Sequence, residues 1–248
     1  MAPAAALDHV LAVAEAALRN WRPEPTGFLD PEERFAVEPV LQQRSGLHWR
    51  CYGGITPAER QRLLLAREEL PLGDVSMDFA LVALKGNFLF DPAELEDFEA
   101  ALRTKGIDPR GWGDVILLGE NGAQLIATPA CAAALDGCSL QVRTVAVEAS
   151  AVPWEHLRHQ PRQPRTVTTV EASCRLDAVA SAGLGLSRAR MAAAVSSGRV
   201  RLNGRTVLRP HTELKVGDVV VLRGRGELRL QSRTLTRRQR WRLQLLRC

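Results

Sequence analysis

Apolar and polar residues alternate along the first 70 residues at a spacing that is typical of helices. Two of the expected helices begin with a capping residue, a proline and an acid, in Asp30-Pro31-Glu32-Glu33 and Thr56-Pro57-Ala58-Glu59. The pattern therefore predicts a mainly helical unit over residues 1–70. Its expected elements are helices at 4–20, 31–44 and 57–69 and a short extended segment at 48–52.

The pattern changes after residue 70 to short apolar runs separated by single helices. The expected elements are a strand at 75–84, a helix at 92–105, strands at 115–118 and 124–127, a helix at 129–135 and a strand at 140–147. This β-α-β-β-α-β order predicts a ferredoxin-like split domain over residues 71–150. The strand at 124–127 has no aromatic side chain. We therefore favour packing or protein docking over base stacking for this sheet.

Residues 166–231 combine two short helices with small strands. Ser187 is a favourable N-cap for the second helix, and Gly198 suits the left-handed residue that ends it. Asn203-Gly204 is a preferred pair for a two-residue hairpin turn, and Gly217-Asp218 marks a further turn. The predicted fold class is therefore α+β, with a third, small α+β domain at 166–231.

Two flanking segments carry no such pattern. Residues 151–165 contain Pro153, Pro161 and Pro164, which predicts a proline-rich, semi-rigid linker. Residues 232–248 contain six arginines and no acid, which predicts a basic C-terminal tail or helix.

Charge is distributed unevenly along the chain. Residues 1–164 hold 15 Lys and Arg against 23 Asp and Glu, whereas residues 165–248 hold 18 against 5. A basic end joined to an acidic body is typical of nucleic-acid binding at the basic end. The acidic residues 1–150 are candidates for holding a protein partner.

The arginines at the start of the second helix stand where a helix dipole disfavours them. Arg188 and Arg190 lie in its first turn, where a cation costs about 0.3–1 kcal/mol. Free backbone N–H groups, a hydroxyl and two guanidinium groups at one helix start suit a phosphate. We therefore expect one basic face for a nucleic-acid backbone. Its expected residues are Ser187, Arg188, Arg190, Arg199, Arg201, Arg205 and Lys215.

The ordered motifs of this region resemble the S4 RNA-binding domain family. The motifs are Arg175-Leu176-Asp177, Ser187-Arg188, Ser197-Gly198-Arg199-Val200, Asn203-Gly204 and Lys215-Val216-Gly217-Asp218. In that family the second helix and the following hairpin bind structured RNA, usually ribosomal. The resemblance adds Arg175, Asn203 and Gly204 to the expected RNA-binding residues and leaves Leu176 and Asp177 as scaffold.

Two further motifs extend the resemblance over nearly the whole chain. They are Gly53-Gly54-Ile55-Thr56-Pro57-Ala58-Glu59-Arg60 and the segment from Asp97 to Asp114. With them the chain is similar to bacterial YlmH-type proteins, and most of all to the cyanobacterial branch labelled photosystem II S4 domain protein. That likeness implies ribosome-associated quality control on large (50S) subunits that carry stalled peptidyl-tRNA, with rRNA and tRNA as partners. We find no pigment or membrane chemistry behind the photosystem label.

An RNA-modifying enzyme is the alternative, because S4 modules are often joined to pseudouridine synthase or methyltransferase domains. Arg175-Leu176-Asp177 is superficially like a pseudouridine synthase motif, but the preceding glycine is missing. Gly183-Leu184-Gly185 follows a helix, whereas a cofactor-binding loop follows a strand. Four acids could also line a pocket, namely Asp78, Asp97, Asp114 and Glu120. We expect a non-catalytic protein with no catalytic residues.

Metal and cofactor chemistry finds little support in the sequence. The five cysteines are odd in number and include no C-x-x-C pair, so neither disulfides nor a zinc site is expected. His156 and His159 are three residues apart, but no carboxylate or cysteine joins them at a fixed spacing. No apolar run is long enough to cross a bilayer and the first residues do not form a secretory signal. We expect a cytoplasmic protein without cofactor, metal or membrane partner.

Overall fold

The chain folds into two compact units, residues 1–160 and 161–248. A computed structural model describes residues 3–73, 75–159 and 163–248. Helices and antiparallel strands are mixed in both units, which confirms the predicted α+β class. No helix among the described residues has the length and apolar character needed to cross a bilayer.

The first unit opens with two helices packed on a three-stranded sheet. The elements are α1 (Pro3–Asn20), β1 (Glu24–Pro25), α2 (Pro31–Gln42), β2 (Leu47–Tyr52) and β3 (Arg62–Arg67), with strand order β1-β3-β2. The Asp30 carboxylate caps α2 by accepting the N–H groups of Glu32 and Glu33 at 2.8 and 2.9 Å. The Glu33 carboxylate in turn accepts the N–H of Asp30, as the sequence predicts for a capping box.

The helix predicted at 57–69 is wrong, because residues 62–67 form the central strand β3 and no described residue of the segment is helical. Leu63 and Leu65 pack into the core beneath α1, whereas Leu64 and Ala66 face a separate apolar cluster on the other side. A strand that is buried on both faces reads as a continuous apolar run, which periodicity cannot distinguish from a buried helix. Thr56-Pro57-Ala58-Glu59, expected to start the helix, lies in the loop before this strand.

The rest of the first unit has the predicted split order with one added strand. The elements are β4 (Ala80–Lys85), α3 (Leu95–Thr104), β5 (Trp112–Leu117), β6 (Gly122–Ala127), α4 (Pro129–Leu135), β7 (Ser139–Val142) and β8 (Val145–Val152). Their sheet order is β5-β6-β4-β8-β7. The single strand predicted at 140–147 is wrong, because Arg143 and Thr144 turn the chain back. Arg143 adopts a φ of 52°, and the Asp91 carboxylate accepts hydrogen bonds from both turn residues.

The two motifs behind the YlmH-type resemblance meet inside the first unit. The Asp114 carboxylate accepts the backbone N–H groups of Glu59 and Arg60 at 2.8 and 2.9 Å. The buried Arg60 guanidinium donates to the carbonyl oxygens of Trp112 and Pro109 at 3.1 and 2.7 Å and lies 4.7 Å from the Trp112 ring. These motifs therefore join the loop before β3 to the central sheet.

The second unit packs two helices on one face of a six-stranded sheet. The elements are β9 (Arg165–Glu171), α5 (Leu176–Leu184), α6 (Arg188–Ser196), β10 (Val200–Leu202), β11 (Arg205–Thr206), β12 (Val219–Leu222), β13 (Gly226–Leu235) and β14 (Trp241–Arg247). The strand order is β11-β10-β12-β13-β14-β9. Val179, Met191 and Val195 of the helices share one buried core with Leu228 and Leu243 of the sheet.

The predicted tail or helix at 232–248 is also wrong, because most of these residues are in strands. Residues 232–235 continue β13, and β14 pairs with β13 on one side and β9 on the other. Leu243 and Leu245 are buried, and the alternate residues Arg242 and Gln244 are exposed. That alternation has the period of two that is expected of a strand.

The predicted linker at 151–165 is ordered at both of its described ends. β8 continues to Val152, and the Gln124 side chain holds the segment after it through the His156 carbonyl at 2.7 Å and the Arg158 N–H at 2.8 Å. β9 begins at Arg165. The middle of the predicted linker, with Pro161, lies outside the described residues.

Candidate nucleic-acid interface

The start of α6 has the local structure that the sequence predicts. Ser187 is the N-cap, and its hydroxyl oxygen accepts the N–H of Arg190 at 3.3 Å. Gly198 follows the helix with a φ of 75°. Arg188 and Arg190 lie in the first turn and are exposed, with no acid in that turn to offset the helix dipole. An external anion would be stabilised at this position.

A buried carboxylate lies beside this helix start. Asp177, in the first turn of α5, has a side chain that is only 6% exposed. Arg175 donates to its two oxygens at 3.1 Å each, and the Arg188 Nε donates to Oδ2 at 3.1 Å. Burial raises the pKa of this carboxyl, but the two guanidinium groups outweigh burial and lower it. The arrangement keeps one net positive charge, and both arginines are about half exposed.

Asp177→Asn tests whether the charged Asp177 carboxylate stabilises the second unit through Arg175 and Arg188. The substitution keeps the shape but leaves two arginines side by side without their anion, so we expect the unfolding free energy of the second unit to fall by about 1–3 kcal/mol at pH 7. Because the folded pKa is depressed, the carboxylate stabilises fully above the unfolded pKa of about 3.9, and this contribution is lost as pH falls through the folded pKa. Urea unfolding of both proteins at pH 7 and below pH 4 measures the difference.

The exposed pair Glu227–Arg229 supplies the control. Glu227→Gln breaks an ion pair of 3.6 Å at the surface and is expected to cost less than about 0.5 kcal/mol at either pH. If the difference in unfolding free energy between wild type and Asp177→Asn is the same at both pH values, Asp177 does not stabilise the unit through its charged form.

The two predicted turns after α6 are linked by side chains. Asn203 and Gly204 have φ values of 52° and 81°, as the expected hairpin turn requires. The Asn203 amide donates to Asp218 Oδ1 and accepts the Val219 N–H, both at 2.9 Å. Asp218 Oδ2 accepts the backbone N–H of Lys215 at 2.8 Å. Asn203 therefore has a structural role, and an RNA contact by Asn203, Gly204 or Lys215 stays a prediction.

The expected single basic face is wrong at Arg201. Val200 and Leu202, on either side of it in β10, face the core beneath the helices. Strand alternation therefore places Arg201 on the opposite face of the sheet, with its partner Val221. Arg205 pairs with Leu202 and so lies on the helix side.

Five of the predicted residues lie at the two ends of α6. Arg175, Ser187, Arg188 and Arg190 lie at its start. Arg199 follows its end, and its Nε donates to the Ser197 hydroxyl at 3.2 Å. The nine residues of α6 rise about 13 Å, so a single phosphate cannot touch both groups but a nucleic-acid strand can.

All five carboxylates of residues 165–248 are engaged within the second unit. Asp177 and Asp218 are described above. Glu213 and Glu227 pair with Arg233 and Arg229 at 3.7 and 3.6 Å, and Glu171 accepts the Thr169 hydroxyl at 2.7 Å. The 18 basic residues of this region therefore present a large surplus of positive charge to solvent.

Sequence reasoning missed a group of arginines on β13, β14 and their turn. The arginine-rich composition predicts a basic tail or helix at these positions, although the alternation of Trp241, Leu243 and Leu245 with polar residues could have indicated a strand. The turn lacks the usual Asn-Gly signal, because the residue with positive φ is Gln239, at 55°. The missed residues are Arg233, Arg237, Arg238, Arg240 and Arg242.

Two of the four acids that could line a pocket accept structural backbone hydrogen bonds. Asp114 is held by backbone N–H groups, and Asp97 accepts the N–H of Glu94 at the start of α3. Glu120 lines an open groove of about 1190 Å³ together with His156. Among the described residues no three His, Cys, Asp or Glu side chains are grouped as metal ligands would be.

The outer face of the central sheet is partly covered. Ile126 of β6 is buried against Phe28 and Ile55 from the N-terminal part of the unit. Phe79, which precedes β4, packs with Phe28, Tyr52 and Trp154. This arrangement favours the predicted packing role over base stacking.

Two family models match parts of this chain. Residues 174–220 match the S4 domain, and residues 3–70 match the YlmH N-terminal domain. The chain therefore contains one region similar to the S4 domain and one similar to the YlmH N-terminal domain, which confirms the resemblance drawn from the motifs. Its likeness to the cyanobacterial branch stays a prediction.

Two particular proteins are similar to this chain. The "Ribosome-associated protein quality control protein P2" of Bacillus subtilis (strain 168) is 26% identical over 241 residues, covering 96% of this chain and 92% of that protein. Among solved structures, the "Cell division protein ylmH from Streptococcus pneumoniae" matches with a TM-score of 0.45 and 18% identity, over 60% of this chain and 90% of that one. A structural likeness at that level supports no argument about function.

Proposed function

We propose that this chain is a non-catalytic RNA-binding protein that binds structured RNA of the large ribosomal subunit, in ribosome-associated quality control. The observation that carries the proposal is the second unit, where an S4 domain presents a basic surface whose own carboxylates are all engaged. Phosphates would meet guanidinium groups at both ends of α6. The name of the Bacillus subtilis relative supports the ribosomal setting.

The enzyme alternative has less support from the same residues. Asp177, which occupies the place of the catalytic acid in the pseudouridine synthase likeness, is buried and neutralised by two arginines. Gly183, of the glycine-rich segment, lies in α5, where an added Cβ would come within 2.5 Å of the Leu228 side chain. Glycine at position 183 therefore allows α5 to pack closely on the sheet.

An adaptor role is compatible with RNA binding. Residues 1–164 carry an excess of eight acidic over basic residues, so this part of the chain would be repelled by RNA. We therefore assign RNA binding to the second unit and leave the first unit available for a protein partner.

Sedimentation with purified ribosomal subunits tests the proposal. We expect the protein to move with 50S and not with 30S subunits in a sucrose gradient at about 50 mM salt. The logarithm of the binding constant should fall linearly with the logarithm of salt concentration, because phosphate neutralisation releases counterions. Failure to bind 50S subunits or free ribosomal RNA even at low salt would reject the proposed function.

A further inference from the structure

The turn between β13 and β14 is a well-formed element that carries several arginines. The Thr236 N–H donates to the Arg240 carbonyl at 2.8 Å, and the Gln239 N–H donates to the Thr236 carbonyl at 3.0 Å. The Thr236 hydroxyl accepts the Arg240 N–H at 3.2 Å. We call residues 236–242 the arginine hairpin. Its arginines are Arg237, Arg238, Arg240 and Arg242, and all four are exposed.

The arginine hairpin borders a shallow depression on the outer face of the sheet. Arg242 pairs with Thr234 on β13 and with Val170 on β9, so the three side chains share the face that points away from the helices. The depression has a volume of about 590 Å³, and none of the described residues that line it carries a carboxylate. Its lining residues are Val170, Thr234, Leu235, Thr236, Arg237, Arg238, Arg240 and Arg242. Guanidinium and hydroxyl groups without a carboxylate form an environment that favours an anion.

The sheet fixes the position of the hairpin. β14 is paired with β13 on one side and with β9 on the other along its whole length, from Trp241 to Arg247. The Trp241 side chain packs against the core of the unit, and the Arg233 guanidinium lies 5.1 Å from its ring. The arginines of the turn are therefore presented from a rigid base, which lowers the conformational entropy lost on binding.

A chain of contacts connects the base of the hairpin to the start of α6. Arg233 of β13 pairs with Glu213 at 3.7 Å, and Glu213 forms an isolated antiparallel bridge with Arg175. Arg175 and Arg188 then share the Asp177 carboxylate. Arg233, on the helix side of β13, is thus linked to the start of α6, whereas Arg242 lies on the other face of the sheet.

We propose that the arginine hairpin is a second contact surface for the phosphodiester backbone of RNA, in addition to the start of α6. The inference rests on the proposed RNA-binding function and extends it to residues outside the matched S4 region, 174–220. A single RNA strand or stem would then be held at two places on the second unit. Backbone contacts of this kind add affinity without base specificity.

The triple variant Arg237→Gln, Arg238→Gln and Arg240→Gln tests the proposal in the full-length protein. We expect binding to purified 50S subunits and to free 23S ribosomal RNA to weaken about 10- to 30-fold at low salt. The slope of log affinity against log salt concentration should become less steep by about 2–3, as expected for three lost phosphate contacts. The melting temperature should not change, because these side chains are exposed.

The control removes the same charge from the first unit, with Arg19→Gln, Arg22→Gln and Arg44→Gln. We expect this variant to bind both RNAs as the wild type does. Equal losses in the two variants would show an effect of net charge alone and would overturn the hairpin proposal. Unchanged RNA affinity in the hairpin variant would also overturn it. The same holds if the variant loses binding only to vesicles that contain phosphatidylglycerol and keeps its binding to RNA. If the wild-type protein does not bind RNA, the proposed RNA-binding function is rejected, and the hairpin proposal is rejected with it.

Discussion

Asp114→Ala is expected to lower the unfolding free energy of the first unit by about 3 kcal/mol. The carboxylate accepts two backbone N–H groups, from Glu59 and Arg60, and these donors lose their acceptor in the variant. Hydrogen bonds to a charged group contribute about 1.5–3 kcal/mol each, and partly buried donors have limited access to replacement water. The loop that positions the buried Arg60 beside Trp112 would also lose its anchor.

Tryptophan fluorescence in urea measures this effect well. Four of the five tryptophans lie in the first unit, and Trp112 is the one that contacts Arg60. Asp136→Ala is the matched control, because its carboxylate accepts one exposed N–H, from Ala151, at 2.8 Å. We expect the control to cost about 1 kcal/mol or less. An Asp114→Ala protein as stable as this control would show that the contact between the two motifs does not stabilise the unit.

Local chemistry predicted some elements to the residue. The helix expected at 129–135 has those bounds, because Thr128 caps it and Pro129 occupies its first position. Ser187 and Gly198 fix the ends of α6 in the same way. In each case a side chain or a backbone preference within a few residues decides where the element begins or ends.

Tertiary structure decided the elements that the sequence did not predict. Leu63, Leu64 and Leu65 form a strand because both faces of β3 are covered, a condition that no local pattern records. β14 is stabilised by β9, which lies about 75 residues earlier in the chain, and a segment read alone shows only its arginines. Long-range strand pairing of this kind is the least visible to residue-by-residue reasoning.

The candidate site also combines features that local sequence predicts with features that depend on tertiary structure. The arginines at the start of α6 could be predicted because their unfavourable place in the helix dipole is a local fact. Their partner could not, because Asp177 is in the preceding helix and only the packing of α5 against α6 brings it to Arg188. The position of Arg201 on the other face follows from strand alternation, because Val200 and Leu202 on either side of it face the core, and this alternation is visible in the sequence.

Arg188→Ala combined with Arg190→Ala is expected to weaken RNA binding about 100-fold at low salt. Each guanidinium is expected to make a charge-assisted contact with phosphate, and each such contact contributes about 1.4 kcal/mol or more, a factor of about ten. The slope of log affinity against log salt concentration should become less steep by about two, because two phosphate contacts are lost. Binding to 50S subunits over a salt series measures both quantities, and Arg22→Ala with Arg44→Ala removes equal charge from the first unit as a control.

The single variants should differ, because Arg188 has a second function. Its removal leaves Asp177 with Arg175 as its remaining guanidinium partner, so the carboxylate would repel a nearby phosphate more strongly. Arg188→Ala should therefore weaken binding more than Arg190→Ala, and adding Asp177→Asn should restore part of the loss. Equal binding by the double variant and the wild type would show that RNA does not contact this helix start. A loss in Arg188→Ala that Asp177→Asn leaves unchanged would place the contact on Arg188 itself, without a contribution from the Asp177 carboxylate.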